Sequence, residues 1–141
     1  SGMSFVLDNS VAMLWLLPQS NVAGTRLANQ VLDRLLTTGA VVPSLWRLEA
    51  TNVIVKSLRL NKISQAQAST FIALLEDLDI SIDVQTDQRA FHDTLELARR
   101  YALSAYDAAY LELALRNGLP LATLDAKLDA AARQAGVVVV D

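Results

Sequence analysis

The apolar residues of the chain fall into several short runs that are bounded by turn-forming residues. Such runs are typical of strands buried on both faces of a sheet. A fifth segment alternates apolar and polar residues, which also predicts a strand. The predicted strands cover residues 5–7, 40–42, 80–84, 121–124 and 137–140.

Longer segments between these runs repeat apolar residues at helical spacing. The helices are predicted to begin at residue 11 and with cap residues Asn21, Ser44, Ser64, Thr86, Ser104 and Asp125. Pro18, Gly39 and Gly136 end three of them, and the helix capped by Thr86 is predicted to run unbroken to Tyr101. Strands that alternate with helices indicate an α/β sandwich with a mostly parallel central sheet.

Length, composition and net charge limit the classes of protein to which this chain can belong. The chain has 141 residues, which fits a single domain over 3–141, and Ser1-Gly2 before Met3 is interpreted as a remnant of tag cleavage. Hydrophobic residues make up 52%, which argues against disorder and favours self-association or a partner. There is no cysteine and no secretory signal, so we expect a cytoplasmic protein without a membrane span. The net charge of -3 gives no global attraction for nucleic acid, although a local basic rim would suffice.

Four carboxylates occupy positions where such a fold binds ligands. Asp8 and Asp125 each follow a predicted strand, and ligands of open α/β sheets gather outside the carboxyl ends of the strands. Glu49 shares a helix stripe with apolar residues, and Asp107 lies in the first turn of a helix. None has a basic residue at a pairing position on the same stripe, so a divalent cation is the economical partner. Oxygen ligands without cysteine suit Mg²⁺ or Mn²⁺ better than Zn²⁺.

Each of these side chains also has an ordinary structural interpretation. The two acids after strands fit helix N-caps, and Asp107 fits the third helical position of a capping box. Glu49 could extend to solvent or pair with a distant arginine. Ser10 and Thr123 either supply hydroxyls at a metal site or serve turn and strand packing. Taken singly, none of these residues decides between structure and chemistry.

Taken in order, four segments resemble the PIN domain family, and specifically the VapC-type toxin ribonucleases of bacterial toxin–antitoxin pairs. No single segment is specific, but their order and spacing span nearly the whole chain from Phe5. The segments are FVLDNSV at 5–11, PSLWRLEATNVI at 43–54, SAYDAAYLELA at 104–114 and LATLDAKLDAAARQAGV at 121–137.

The resemblance implies a three-layer α/β/α fold and a metal-dependent endoribonuclease that cleaves RNA phosphodiesters with a metal-activated water. It implies Mg²⁺ or Mn²⁺ as cofactor, a homodimer, and neutralisation by a small antitoxin. Its acidic metal-binding quartet corresponds to Asp8, Glu49, Asp107 and Asp125, with Ser10 and Thr123 at the supporting polar positions.

Three other functions are alternatives to this one. A haloacid-type phosphatase needs a second aspartate where this chain has Ser10, and a receiver-like domain needs adjacent acids where it has Asp8-Asn9. Both are discounted. A PIN-like partner-binding module with little or no nuclease activity remains open, because an intact quartet shows only that catalysis is possible.

Overall fold

A short parallel β-sheet runs through the centre of the protein. The structure is a computed structural model of the chain and describes residues 3–17 and 22–141. Within them the strands are β1 (Phe5–Leu7), β2 (Ala40–Val42), β3 (Ile80–Ile82) and β4 (Leu121–Ala122). Their spatial order is β3-β2-β1-β4, and every neighbouring pair is parallel. The prediction of a mostly parallel sheet is therefore confirmed.

The fourth strand is shorter than its apolar run predicted. The run 121–124 is a strand only over β4, because the next backbone N–H groups find other partners. The N–H of Leu124 donates to the Ser10 hydroxyl at 2.9 Å, and that of Asp125 donates to the Thr123 hydroxyl at 3.0 Å. Side-chain acceptors thus end the strand just before the acid that follows it.

Two further strand predictions are corrected at the sheet margins. The run 137–140 does not form a strand of its own and makes one parallel bridge, between Val139 and Leu121. The alternating segment 80–84 pairs only as far as Ile82, and Val84 beyond it is 87% exposed. Apolar character at a sheet edge is therefore not enough to extend the ladder.

Helices cover both faces of the sheet in the described part of the chain. They form two contacting groups, α1 to α4 and α5 to α8, which confirms the three-layer α/β/α prediction, and α7 packs directly on β1 and β4. The helices are α1 (Asn9–Ala12), α2 (Val22–Thr38), α3 (Trp46–Arg59), α4 (Gln65–Asp77), α5 (Thr86–Arg89), α6 (Leu95–Tyr101), α7 (Ala105–Asn117) and α8 (Ala126–Gln134). None of these is long and apolar enough to cross a membrane.

Several helix starts differ from their predictions. The helix predicted from residue 11 begins earlier, at α1, and continues as a 3₁₀ turn, Met13–Trp15. Ser44 is not an N-cap, because α3 begins two residues later and the Ser44 N–H donates to the Thr86 hydroxyl at 3.1 Å. The predicted cap Asn21 and the predicted stop Pro18 lie outside the described residues.

The helix predicted as unbroken to Tyr101 is divided in two. A π-helical segment, Ala90–Thr94, separates α5 from α6, and His92 within it has non-helical torsion angles. Thr86 is the first residue of α5 rather than its cap, and its hydroxyl donates to Asp83 Oδ2 at 2.9 Å. The prediction of one continuous helix was therefore wrong.

Other predicted caps are confirmed by their hydrogen bonds. Ser64 and Gln67 form a complete capping box at the start of α4. Ser104 accepts the Asp107 N–H at 3.1 Å and so caps α7, although Asp107 does not make the second bond of the predicted capping box. Gly118 follows the last residue of α7 and lies in the left-handed region. Asp125 caps α8 by accepting two backbone N–H groups. These bonds fix the starts of the two helices that carry acids.

A buried ionic cluster joins β3 to α7. Arg116 donates to Glu112, one turn earlier on the same helix, at 2.8 and 3.0 Å. It also donates to Asp83, the residue after β3, at 3.2 and 2.6 Å. The side chains of Arg116, Glu112 and Asp83 are 13%, 4% and 8% exposed. The cluster therefore ties the helix that carries Asp107 to the edge of the sheet.

We expect Asp83 to make stability depend on acid pH. Burial alone would raise the pKa of Asp83, but hydrogen bonds from Arg116, Thr86 and the Gln85 N–H outweigh it and hold the pKa below the ordinary 3.8. A carboxyl whose pKa is lower in the folded protein stabilises it above the unfolded pKa, and this contribution disappears as pH falls through the folded pKa. The difference in unfolding free energy between wild type and Asp83→Asn should therefore be constant above about pH 5 and shrink below about pH 4. Urea unfolding from pH 7 to pH 2 measures it, and a difference that does not change with pH contradicts it.

Candidate functional site

Asp8 is a buried carboxylate at the end of β1. Its side chain, in a residue only 6% exposed, accepts hydrogen bonds at Oδ2 from the hydroxyls of Ser10 and Thr123, both at 2.6 Å. Each hydroxyl in turn accepts a backbone N–H of the segment after β4. Ser10 and Thr123 thus link the ends of two neighbouring strands and hold the carboxylate between them. Asp8 occupies the N-cap position of α1, as its structural interpretation predicted, but its side chain makes no capping bond and is directed to the two hydroxyls instead.

The charge on Asp8 is unfavourable in its surroundings. Burial raises the pKa of Asp8, and the nearby charge of Asp125 raises it further. The hydroxyls of Ser10 and Thr123 and the Asn9 N–H lower it without outweighing burial. A buried carboxylate in this state gains most from a positive partner.

Asp107 lies in the first turn of α7, and Asp125 is the N-cap residue of α8. Burial raises the pKa of Asp107, and the charges of Asp125 and Asp8 add to the effect. Ser104 and Lys127 act in the opposite direction. Asp125 Oδ1 accepts the N–H groups of residues 127 and 128 at 2.9 Å each, so its N-cap interpretation is confirmed. One of its oxygens is therefore already used by α8.

Glu49 approaches the same place from α3. It is half-buried, and its Oε1 accepts a hydrogen bond from the hydroxyl of Tyr110 at 2.5 Å. Burial raises the pKa of Glu49 despite this bond, and the charges of Asp8 and Asp107 contribute in the same direction. The half-buried position agrees with the place of Glu49 on an apolar stripe of its helix.

The four acids thus come from four separate elements. The charge of at least one other acid raises the pKa values of Asp8, Glu49 and Asp107. Among the described residues, no lysine or arginine forms an ion pair with any of them. The donor set is all oxygen and carries excess negative charge, which fits a hard divalent cation such as Mg²⁺ or Mn²⁺.

The side chains are not gathered into a closed ligand set. Within residues 3–17 and 22–141, no three acidic or histidine side chains stand close enough together to hold one metal ion. One contact accounts for part of this arrangement, since the start of α8 already binds Asp125. The donor chemistry therefore fits a divalent cation, and completing a ligand set would require side-chain rotation.

Two residues near the acids were missed from the sequence. Tyr110 lies three residues after Asp107 on α7, a spacing that places two side chains on the same helix face and would have identified it. Lys127 was not identified as a candidate residue, whereas its charge lowers the pKa of Asp107. Its position two residues after a predicted acidic cap was the available signal.

Comparison with known proteins gives the fold and the family. The family model described as PIN domain matches residues 5–134. Protein PAE2754 from Pyrobaculum aerophilum superposes with a TM-score of 0.69 at 22% identity, covering 98% of this chain and 90% of its own. FitAcB from Neisseria gonorrhoeae superposes with a TM-score of 0.64 at 18% identity, covering 97% and 96%. No curated protein sequence matches significantly. Because the family model matches most of the chain, in line with the α/β/α fold, this protein belongs to the PIN domain family.

Proposed function

We propose that this protein is a metal-dependent endoribonuclease of the VapC toxin type, with Mg²⁺ or Mn²⁺ as its cofactor. Membership of the PIN family supports the broader part of the proposal, because PIN domains are generally metal-dependent nucleases. The toxin type, the RNA substrate and the metal come from the sequence resemblance. Asp8, Glu49, Asp107 and Asp125 are the proposed metal-binding and catalytic residues, with Ser10 and Thr123 in support.

One observation carries the proposal. Burial raises the pKa values of Asp8, Glu49 and Asp107, and each is raised further by the charge of at least one other acid of the quartet. Clusters of like charge with perturbed pKa values concentrate at functional sites, since a purely structural role would favour paired charges. A divalent cation would relieve the repulsion among them.

The protein's own residues would have distinct tasks. Asp8 is the most deeply buried acid of the quartet, and Ser10 and Thr123 fix one of its oxygens, so we propose Asp8 and Asp107 as the central ligands. Glu49 and Asp125 would complete the site or activate water. A cation bound there supplies charge stabilisation for phosphodiester hydrolysis and lowers the pKa of water. The positive charge of Lys127, which lowers the pKa of Asp107, would attract a phosphate group.

The direct test is RNA cleavage with mapped ends. Purified protein is incubated with total RNA in Mg²⁺, Mn²⁺ or excess chelator, and the new ends are sequenced. We expect discrete cuts that require the metal and that disappear with chelator. Metal-independent cleavage, or none with either ion, would contradict the proposal.

Metal binding gives a prediction that does not depend on finding the right RNA. We expect Mn²⁺ to bind and to raise the melting temperature, since a ligand at 100 times its Kd adds about 2.7 kcal/mol to folding stability. Glu49→Gln should bind more weakly, because it removes one negative charge from the site. Titration calorimetry and thermal unfolding with and without Mn²⁺ measure both effects, and equal affinity in the two proteins would remove Glu49 from the ligand set.

The resemblance also implies protein partners. We propose a homodimer that is neutralised by a small cognate antitoxin. Three large apolar side chains are exposed, namely Val84 at 87%, Phe91 at 87% and Leu95 at 59%. Exposed apolar surface of this kind favours association. Light scattering across a concentration series tests the dimer, and a strictly monomeric protein would contradict it.

One observation favours a second candidate function, that of a binding module with little nuclease activity. A mainly apolar cavity of about 460 Å³ lies between α3, α4 and β3, and Ile54, Leu58 and Ile80 are among its lining residues. The RNA cleavage and Mn²⁺ binding experiments described above distinguish the two functions. A binding module would show no metal-dependent cleavage and no Mn²⁺-induced rise in melting temperature.

A further inference from the structure

Tyr110 is a buried residue whose hydroxyl makes a polar contact with a distant part of the chain. The residue is completely buried within α7, yet its hydroxyl reaches Glu49 on α3, 61 positions earlier in the chain. Asp107 lies one helical turn before it. The same helix face therefore delivers an acid of the quartet and a hydrogen-bond donor to a second acid.

Glu49 needs such a donor to stay near the other acids. It is half-buried, and burial makes its ionised form unfavourable where it lies, to which the charges of Asp8 and Asp107 add. A glutamate has three rotatable side-chain bonds, so repulsion would otherwise favour rotamers directed to solvent. The Tyr110 hydroxyl binds Oε1, and no group in the described part of the chain donates to Oε2.

We propose that Tyr110 is a positioning residue, whose hydroxyl holds Glu49 against the repulsion of Asp8 and Asp107 and leaves Oε2 available to a divalent cation. This inference rests on the proposed function, because it assigns Tyr110 a task only if the acids bind metal. Residues that hydrogen-bond a metal ligand set its orientation, and losing one typically costs a factor of about 10 to 100 in metal affinity.

The surroundings of Tyr110 keep it a donor. Burial raises the pKa of Tyr110, as do the charge of Asp8 and the hydrogen bond with Glu49. The hydroxyl is the donor of the bond with Glu49, because an ionised carboxylate oxygen can only accept. A phenylalanine at this position would fill the same space without the donor.

The experiment is a double-mutant cycle on Mn²⁺ affinity, measured by calorimetry and by electron paramagnetic resonance of free Mn²⁺. Tyr110→Phe is expected to weaken binding by about 10-fold or more. In a Glu49→Gln background the same substitution should have no further effect, because the residue through which it acts is already changed. Tyr106→Phe is the matched control, since Tyr106 lies on the same helix but is 64% exposed. Cleavage by Tyr110→Phe should return toward the wild-type level at saturating Mn²⁺.

Each outcome decides a different point. Equal or tighter Mn²⁺ binding by Tyr110→Phe overturns the positioning role, and so does the same loss in both backgrounds, which would indicate a general structural effect. Wild-type protein that binds no Mn²⁺ would overturn the proposed function itself, and this inference with it.

A second variant tests the inference with Tyr110 intact. Glu49→Asp keeps the charge but withdraws the carboxylate by one methylene, beyond the reach of the Tyr110 hydroxyl. We expect it to lose about as much Mn²⁺ affinity as Tyr110→Phe, with no further loss when the two are combined. Glu49→Asp with wild-type affinity would contradict the proposal even if Tyr110→Phe failed to fold.

Discussion

Asp8→Asn is expected to lower metal-dependent RNA cleavage by more than about 100-fold. Losing a residue that only hydrogen-bonds a metal ligand costs up to about 100-fold, and Asp8 is itself a proposed ligand. Asp8 is the most buried acid of the quartet, and Ser10 and Thr123 fix its orientation. Asparagine keeps the size and one oxygen acceptor for these two hydroxyls, but it supplies no negative charge to a cation. The measurement is the rate of cleavage at saturating Mn²⁺.

The same substitution is expected to preserve or raise the melting temperature without metal. Burial and the charge of Asp125 make the ionised Asp8 unfavourable in the folded protein. A neutral side chain removes that cost, as is common where function requires a strained site. Loss of activity together with unchanged or greater stability separates a chemical role from a folding role.

An exposed acid provides the control. Asp77→Asn changes charge by the same amount at the end of α4, on an exposed residue, and should leave cleavage unchanged. Wild type and both variants are purified identically, so that a contaminating nuclease would appear in all three. Cleavage by Asp8→Asn at the wild-type rate would contradict the assignment of Asp8.

The sheet was predictable because its strands carry their own signal. Phe5, Val6 and Leu7 are apolar without interruption and are completely buried, as a strand covered by helices on both faces requires. Where the signal is weaker, at the sheet margins, the prediction overextended the strands. Helix caps such as Ser64 and Ser104 were equally predictable, because their bonds are made within four residues.

The errors arise where distant residues decide the local structure. The segment from Thr86 to Tyr101 was predicted as one helix, but the helix is broken at His92, and the neighbouring Phe91 is 87% exposed. Local periodicity cannot report such a break. Ser44 has the composition of an N-cap, yet its N–H bonds a residue 42 positions away.

The candidate site shows the same division. The local sequence pattern predicted which strand or helix carries each of the four acids, and the family resemblance predicted that the four acids form one site. The partner of Glu49 was not predicted, since the contact with Tyr110 depends on how α3 and α7 pack. The sequence also did not predict the ionic cluster of Asp83, Glu112 and Arg116, because Asp83 and Arg116 are 33 residues apart. Only the i,i+4 pair within it is visible in the sequence.

The largest loss of stability is expected from Arg116→Met. The change leaves Asp83 and Glu112 buried at 8% and 4% exposure without their cation, and removing one member of a buried ion pair costs about 3–5 kcal/mol. Methionine fills much of the space of the arginine stem, so the loss reflects charge rather than a cavity. Urea unfolding at pH 7 measures the free energy.

Two further variants show whether this loss comes from unpaired charge. Arg99→Met removes an arginine that also pairs with a glutamate on its own helix, but its side chain is 74% exposed, so about 0–1 kcal/mol is expected. Combining Arg116→Met with Asp83→Leu and Glu112→Leu should recover most of the lost stability, because apolar replacement of a whole buried cluster is often neutral or favourable. If the triple variant is instead less stable than Arg116→Met, the cluster stabilises the junction of β3 with α7 through its hydrogen-bond geometry. The position of Asp107 at the start of that helix would then depend on the arginine at its end.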